Sequence, residues 1–245
     1  MKCILLAAGY ATRLYPLTKD KPKALLELGN KTILDRIMDK LEEIERIDDV
    51  YIVTNHRFAD VFTEWSKGYS GSKRVKVLDD NTTDNDNRLG AIGDMHFVIE
   101  KENIDDELFV LASDVIFDFS LKGLFEEYDS HDGDAISANY IESIETLRTM
   151  GVLKIDEDGK VTDFEEKPEN PQSHYGAPPF YVYRKGTIAL IKQYLDEGNN
   201  CDAPGYFIPW LIKHTDVYAY KFDERIIDIG IPKAYYEACE KYKDK

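Results

Sequence analysis

Ile4-Leu5-Leu6-Ala7-Ala8-Gly9-Tyr10-Ala11-Thr12-Arg13-Leu14-Tyr15-Pro16-Leu17-Thr18, followed by Lys21-Pro22-Lys23-Ala24-Leu25-Leu26, decides the reading of this chain. Cys3 to Leu6 is apolar throughout, which suits a central parallel strand covered on both faces. The strand breaks into a loop of small residues, and the loop then presents one Arg and several Lys. Short side chains let backbone N–H groups approach a polyphosphate, and the cations neutralise it. Open parallel sheets take their ligands just beyond the carboxyl ends of their strands, where this loop falls.

The run resembles the signature of the sugar-phosphate nucleotidyltransferases, also called nucleoside-diphosphate-sugar pyrophosphorylases. That signature reads roughly L-A-A-G-x-G-x-R-L-x-P-L-T, then x-P-K-x-L. The match extends over about twenty-five residues, including the Pro-Leu-Thr and Pro-Lys elements. Ala11 stands where the family has its second Gly. An Ala there costs about 1 kcal/mol or less if its φ must be positive. The resemblance implies that Leu6, Ala8, Gly9, Ala11 and Thr12 line a nucleotide site. It further implies that Arg13 and Lys23 contact the triphosphate. Without it, Gly9 reads as a turn residue and the two cations as solvated surface charges.

Composition bounds the alternatives. The chain has 245 residues, enough for one α/β domain with a large core. Its hydrophobic share of 43% is ordinary for a soluble protein, and no apolar stretch approaches membrane-spanning length. Met1 to Ala8 reads as a first strand rather than a leader peptide. Cys3, Cys201 and Cys239 are odd in number and far apart, so a reducing, cytoplasmic setting is expected. A net charge of −16 argues against nucleic-acid or anionic-membrane partners. Anionic substrates would then need Mg²⁺ and a local cluster of Arg13, Lys23 and Lys167, with screening confining the background field to about 8–10 Å.

Hydrophobic periodicity alternates between strands and helices. A helix is predicted from Thr32 to Ile47, and a strand from Val50 to Thr54. Further helices are expected from Phe58 to Trp65 and from about Gly90 to Lys101. Strands are expected at Val75–Leu78 and Leu108–Ala112. Asp156 to Lys160 is read as the turn of an antiparallel hairpin. The expected fold class is α/β. A Rossmann-like, mostly parallel sheet lies between helices, with a small antiparallel acceptor-binding extension. The chain is read as one domain, with a nucleotide-binding half over about 1–134 and a sugar-phosphate-binding half over about 135–245.

Asp114 and Asp228 each follow an apolar strand. Alone, either reads as a helix cap or turn residue. Together they suit a Mg²⁺ site that also contacts phosphate oxygens. The resemblance implies this role, because the family holds its metal with a strand-end Asp and the Asp of a D-x-G-x-P motif. Ile231 replaces the usual Thr there. Phe164-Glu165-Glu166-Lys167-Pro168 looks like the family's F-x-E-K-P element. By that likeness Lys167 holds the sugar phosphate and Glu166 accepts from sugar hydroxyls. The other reading is a charged hairpin edge. Gly151 is either the family's sugar-contacting Gly or a plain turn residue. Gly90 fits the Gly whose backbone reads the base, although Asn81 to Arg88 lacks the Gln of the thymidylyltransferase pattern. The aromatics Tyr175, Tyr181, Tyr183, Tyr206, Phe207 and Trp210 read mainly as core.

The resemblance therefore implies an enzyme that joins a nucleoside triphosphate to a sugar 1-phosphate and releases pyrophosphate. It leaves room for a homo-oligomer. Two alternatives stand beside it. One is a cytidylyltransferase acting on phosphocholine or another small alcohol phosphate. The other is a nucleotide-sugar-binding regulator without turnover. Asp202 to Phe207, with Asp228-Ile229-Gly230, looks more like the sugar branch.

Overall fold

A computed structural model of the chain describes residues 1–243. These divide into two compact units. One comprises residues 2–88, 112–121 and 225–243; the other comprises Met1, 89–111 and 122–224. No helix among the described residues is long and apolar enough to cross a membrane.

The first unit is built on three parallel strands. Lys2–Leu6 pairs with Asp49–Thr54, which pairs with Arg74–Asp79. Cys3, Ile4 and Leu5 are fully buried, as a strand covered on both faces requires. Helix Ile33–Glu42 opens on a capping box. Thr32 Oγ1 accepts from Asp35 N at 3.1 Å, and Thr32 N donates to Asp35 Oδ2 at 2.8 Å. The helix is shorter than its apolar period suggests. Ile44 and Ile47 stay buried, but four-residue turns carry them, with Ile44 N on Leu41 O and Ile47 N on Ile44 O. Periodicity reports burial, and a succession of turns can bury the same stripe as a helix. Helix Ala59–Gly68 and a closing helix, Pro232–Tyr242, complete the larger elements of the unit.

Two short strands in this unit carry the functional geometry. Val115–Phe117 pairs antiparallel with Ile226–Asp228, in a register that sets Asp228 opposite Val115. Ile229 N also donates to Asp114 O at 3.2 Å. Asp114 and Asp228, distant in sequence, are thereby made neighbours. Val115–Phe117 is too short to stand out from the apolar run before it.

In the second unit the ladder runs Val161–Glu166, Gly151–Ile155, Tyr175–Ala177, Asp134–Tyr140, Phe180–Tyr183, Leu108–Ala112, each neighbour antiparallel. Val217–Phe222 joins Asp134–Tyr140 in parallel. Antiparallel pairing thus extends over more strands than a single hairpin, and the sheet as a whole is mixed. The hairpin predicted around Asp156 to Lys160 is present. Asp156 Oδ1 accepts from Asp158 N and Lys160 N, and Gly159 takes the positive φ of 86° that the turn needs. Helices Ala91–Glu102 and Thr187–Asp196 pack together. Tyr181, Tyr183 and Phe207 are almost fully buried, as the core reading of the aromatics expects, whereas Tyr175, Tyr206 and Trp210 are only half-buried.

Candidate active site

The loop after the first strand builds a cavity of about 130 Å³. Its lining includes Leu6, Gly9, Ala11, Lys23, Ser113 and Asp114. Gly9 does not take a positive φ, and a Cβ on it would meet nothing within 4 Å. Neither backbone conformation nor neighbouring protein requires a glycine there, so a missing side chain serves only to keep the loop open. Ala11, by contrast, sits in the left-handed region with φ 46° and ψ 40°. That is the position where the signature has Gly, and Ala11 adopts the glycine-like conformation nonetheless. Thr12 opens the 3-10 turn Thr12–Leu14, and both Thr12 and Arg13 are exposed. Ala8 is fixed through its carbonyl, which accepts from Asn55 Nδ2 at 2.8 Å.

Lys23 is the centre of the charge arrangement. Its Nζ lies 2.7 Å from Asp114 Oδ2 and 3.7 Å from Asp228 Oδ1. The Lys23 side chain is only 13% exposed, whereas that of Asp228 is 72% exposed. Crowding by protein atoms raises the Asp228 pKa, repulsion from Asp114 adds to this, and Lys23 and Arg13 oppose it. Two carboxylates already converge on one cation here. Hard oxygen donors with room for water and phosphate oxygens suit Mg²⁺.

Gly151, Glu166 and Lys167 are brought together in the second unit. Glu166 lies opposite Gly151 in the hairpin register, and Lys167 N donates to Met150 O at 3.1 Å. Gly151 is a strand residue, not a turn residue. A Cβ on it would overlap the Phe164 ring, so packing demands the glycine. The Glu166 side chain is 12% exposed, and burial raises its pKa against the opposing charge of Lys167, whose Nζ is 3.5 Å away. Lys167 itself has φ 51°, an uncommon conformation for a side-chain-bearing residue, and its amine is largely exposed.

Gly90 caps helix Ala91–Glu102 with φ 76°, and a Cβ on it would lie 2.5 Å from Cys201 O. The first helical N–H groups already have protein partners. Ala91 N donates to Asp202 O at 3.2 Å and Ile92 N to Cys201 O at 3.0 Å.

Sequence reasoning passed over four residues. Asn55 and Ser113 follow strands, as ligand-positioning residues of α/β sheets do, and that placement is the signal available. Ser113 Oγ donates to Leu6 O at 2.7 Å. Thr18 lies inside the quoted run, and its Oγ1 donates to Ala11 O at 2.8 Å. Gly205 is close enough to Glu166 and Phe164 that a Cβ would overlap both. Its segment, Asp202 to Phe207, looks like the sugar branch, but nothing local singles out Gly205 within it.

A family model described as "Nucleotidyl transferase" matches residues 2–245. The bifunctional protein GlmU of Methanocaldococcus jannaschii is 26% identical over all of this chain and 55% of its own length. Mannose-1-phosphate guanylyltransferase 1 of Arabidopsis thaliana is 27% identical, over all of this chain and 65% of its own length. The chain therefore spans between about half and two thirds of these curated relatives. A crystal structure of UDP-glucose pyrophosphorylase complexed with UDP-glucose superposes with a TM-score of 0.82 at 19% identity, covering 98% of this chain and 97% of that one.

Proposed function

The chain belongs to the nucleotidyl transferase family, and on that premise we propose that it makes a nucleoside-diphosphate sugar. The phosphate oxygen of a sugar 1-phosphate attacks the α-phosphorus of a nucleoside triphosphate. A new P–O bond forms, the α–β bridging bond breaks, and pyrophosphate leaves. The attacking phosphate is already an ionised nucleophile, so no covalent enzyme intermediate is needed. The protein's work is in-line positioning and neutralisation of charge.

The convergence of Asp114, Asp228 and Lys23 beside the open loop at Gly9 carries this reading. In it, Arg13 stabilises the leaving pyrophosphate and Lys23 contacts the triphosphate. Leu6, Ala8, Gly9, Ala11 and Thr12 offer backbone to the nucleotide, and Gly90 serves the base. Asp114 and Asp228 would hold Mg²⁺, which when bound screens the phosphate oxygens and polarises the phosphorus under attack. Lys167 holds the attacking phosphate as a point charge. Glu166 accepts from sugar hydroxyls, and Gly151 keeps that strand close to the Phe164 ring. These roles divide between the two units, triphosphate chemistry in the first, base and acceptor recognition in the second.

A matrix of the common nucleoside triphosphates against hexose 1-phosphates and phosphocholine, scored by pyrophosphate release, tests this. Turnover of at least one hexose 1-phosphate is expected. Turnover of phosphocholine alone would replace the acceptor, and no pyrophosphate release from any pair would remove the reaction.

A further inference from the structure

The loop from Ala8 to Thr12 is held from outside by two side chains, and each takes a carbonyl oxygen. Asn55 Nδ2 donates to Ala8 O at 2.8 Å. Thr18 Oγ1 donates to Ala11 O at 2.8 Å, and Leu14 N reaches the same oxygen at 3.0 Å. Asn55 and Thr18 are both fully buried, so neither hydroxyl nor amide is a solvent-facing group that meets the loop by accident.

A trans peptide is planar, with its N–H antiparallel to its C=O. Fixing the Ala8 carbonyl therefore fixes the Gly9 N–H, which must point away from Asn55. Fixing the Ala11 carbonyl likewise aims the Thr12 N–H away from Thr18. An anion site needs donors turned toward it and carbonyl dipoles turned away. A peptide flip at either bond would present an oxygen where a phosphate oxygen is to sit. Ala11 is the weak point of the loop, because a residue with a Cβ in the left-handed region is strained by about 1 kcal/mol.

We propose that Thr18 and Asn55 are positioning residues for polyphosphate, locking the Ala8–Gly9 and Ala11–Thr12 peptides with their N–H groups toward the ligand. The proposal rests on the nucleotide reading of this loop and extends it to two residues outside the cavity lining. Neither residue touches the ligand. Their effect is that the loop is set before the ligand arrives, so the ligand does not bear the cost of ordering it.

Calorimetric titration with inorganic pyrophosphate in the presence of Mg²⁺ tests the inference, with a melting curve for each variant. Thr18→Val keeps the shape and loses the hydroxyl. Thr18→Ser keeps the hydroxyl and loses a methyl. Asn55→Leu removes the amide donor. Pyrophosphate affinity is expected to fall about tenfold or more in Thr18→Val and Asn55→Leu, and to stay within about threefold in Thr18→Ser, a hydrogen bond's worth of difference. Affinity for a sugar 1-phosphate should not change. Wild-type pyrophosphate affinity in Thr18→Val, or equal losses in Thr18→Val and Thr18→Ser, overturns the inference alone. No pyrophosphate binding by the unaltered protein overturns the loop reading and the inference with it. Should Thr18→Val melt below the assay temperature, Asn55→Leu decides by the same tenfold criterion.

Discussion

Lys23 Nζ donates to Asp114 Oδ2 at 2.7 Å, across 91 residues of sequence. The bond closes a charge cluster that Asp228 Oδ1 joins at 3.7 Å from the same nitrogen. One ammonium faces two carboxylates, which leaves carboxylate oxygens that a further cation can meet.

The first prediction follows from that imbalance. Asp114→Asn or Asp228→Asn should lower Mg²⁺-dependent turnover by about a hundredfold or more, the scale lost with a transition-state charge stabiliser. Lys23→Met should act differently. It removes a cation that competes for the same oxygens, so nucleotide-free protein should bind Mn²⁺ roughly tenfold more tightly while turnover falls. Electron paramagnetic resonance with Mn²⁺ reads the first effect and pyrophosphate release the second. Unchanged Mn²⁺ affinity in all three variants would rule out the carboxylate pair as the metal site.

The second prediction separates the substrates. Arg13 lies on the loop unit and perturbs Asp228, whereas Lys167 follows the strand of Glu166. Arg13→Ala should therefore weaken use of the triphosphate, and Lys167→Ala use of the sugar phosphate. A hydrogen bond to a charged group is worth about 1.5–3 kcal/mol, so each KM should rise about tenfold or more. Steady-state titration of each variant with each substrate gives the answer. Equal loss of one substrate in both variants would mean that the roles are wrongly divided.

Much of this site was legible because it is local. The apolar strand, the small-residue loop and its cations lie within twenty-five residues, and Asp114 and Asp228 each stand out at a strand end. Their convergence is implied by the family resemblance and not by the residues themselves, since it depends on the three-residue strand Val115–Phe117 and its register with Ile226–Asp228. Gly151 was open between a turn and a sugar contact because the Phe164 ring that excludes its Cβ is opposite it only in the folded hairpin. Lys167 gives no local sign of its positive φ. Thr18 belongs to the motif, but its hydrogen bond to Ala11 O forms only once the chain turns back over seven residues.

A third prediction concerns stability. Asp134 is 1% exposed, and burial pushes its carboxyl up to about 7. Hydrogen bonds from Arg184 N and Thr187 Oγ1 and the Arg184 charge oppose the rise without cancelling it. The unfolded value is about 3.9, so the folded state holds the extra proton between roughly pH 4 and 7. Stability is fully present below pH 4 and declines as pH rises through 7. From pH 5 to 8 the loss should be roughly 2–3 kcal/mol, at about 1.4 kcal/mol per unit. Asp134→Asn carries no titrating proton there and should lose that much less. Urea unfolding of both proteins at pH 5 and pH 8 measures it. Parallel pH dependence in the two would show that Asp134 is not the titrating group.

The last prediction uses the contact between Gly205 and Glu166. A Cβ at Gly205 would overlap Glu166 Oε2 and lie 2.9 Å from Phe164 Cζ. The carboxylate is the far end of a flexible side chain, so it is the group that yields. The Phe164 ring is buried and yields less. Gly205→Ala should then displace Glu166 at a stability loss of only about 1 kcal/mol, the low end for overpacking. Gly151→Ala should be worse for the fold, by about 2–3 kcal/mol, because there the Phe164 ring alone is in the way. The functional consequence runs in the other order. A site that accepts from a hydroxyl discriminates strongly when its acceptor is misplaced. Gly205→Ala should raise the KM for a hexose 1-phosphate about tenfold, leave the triphosphate KM unchanged, and lose less for the deoxy analogue lacking the Glu166 partner. Melting curves and KM values for the hexose phosphate and a set of deoxy analogues decide it. Equal losses for the parent sugar and every deoxy analogue would show that Glu166 does not read a sugar hydroxyl.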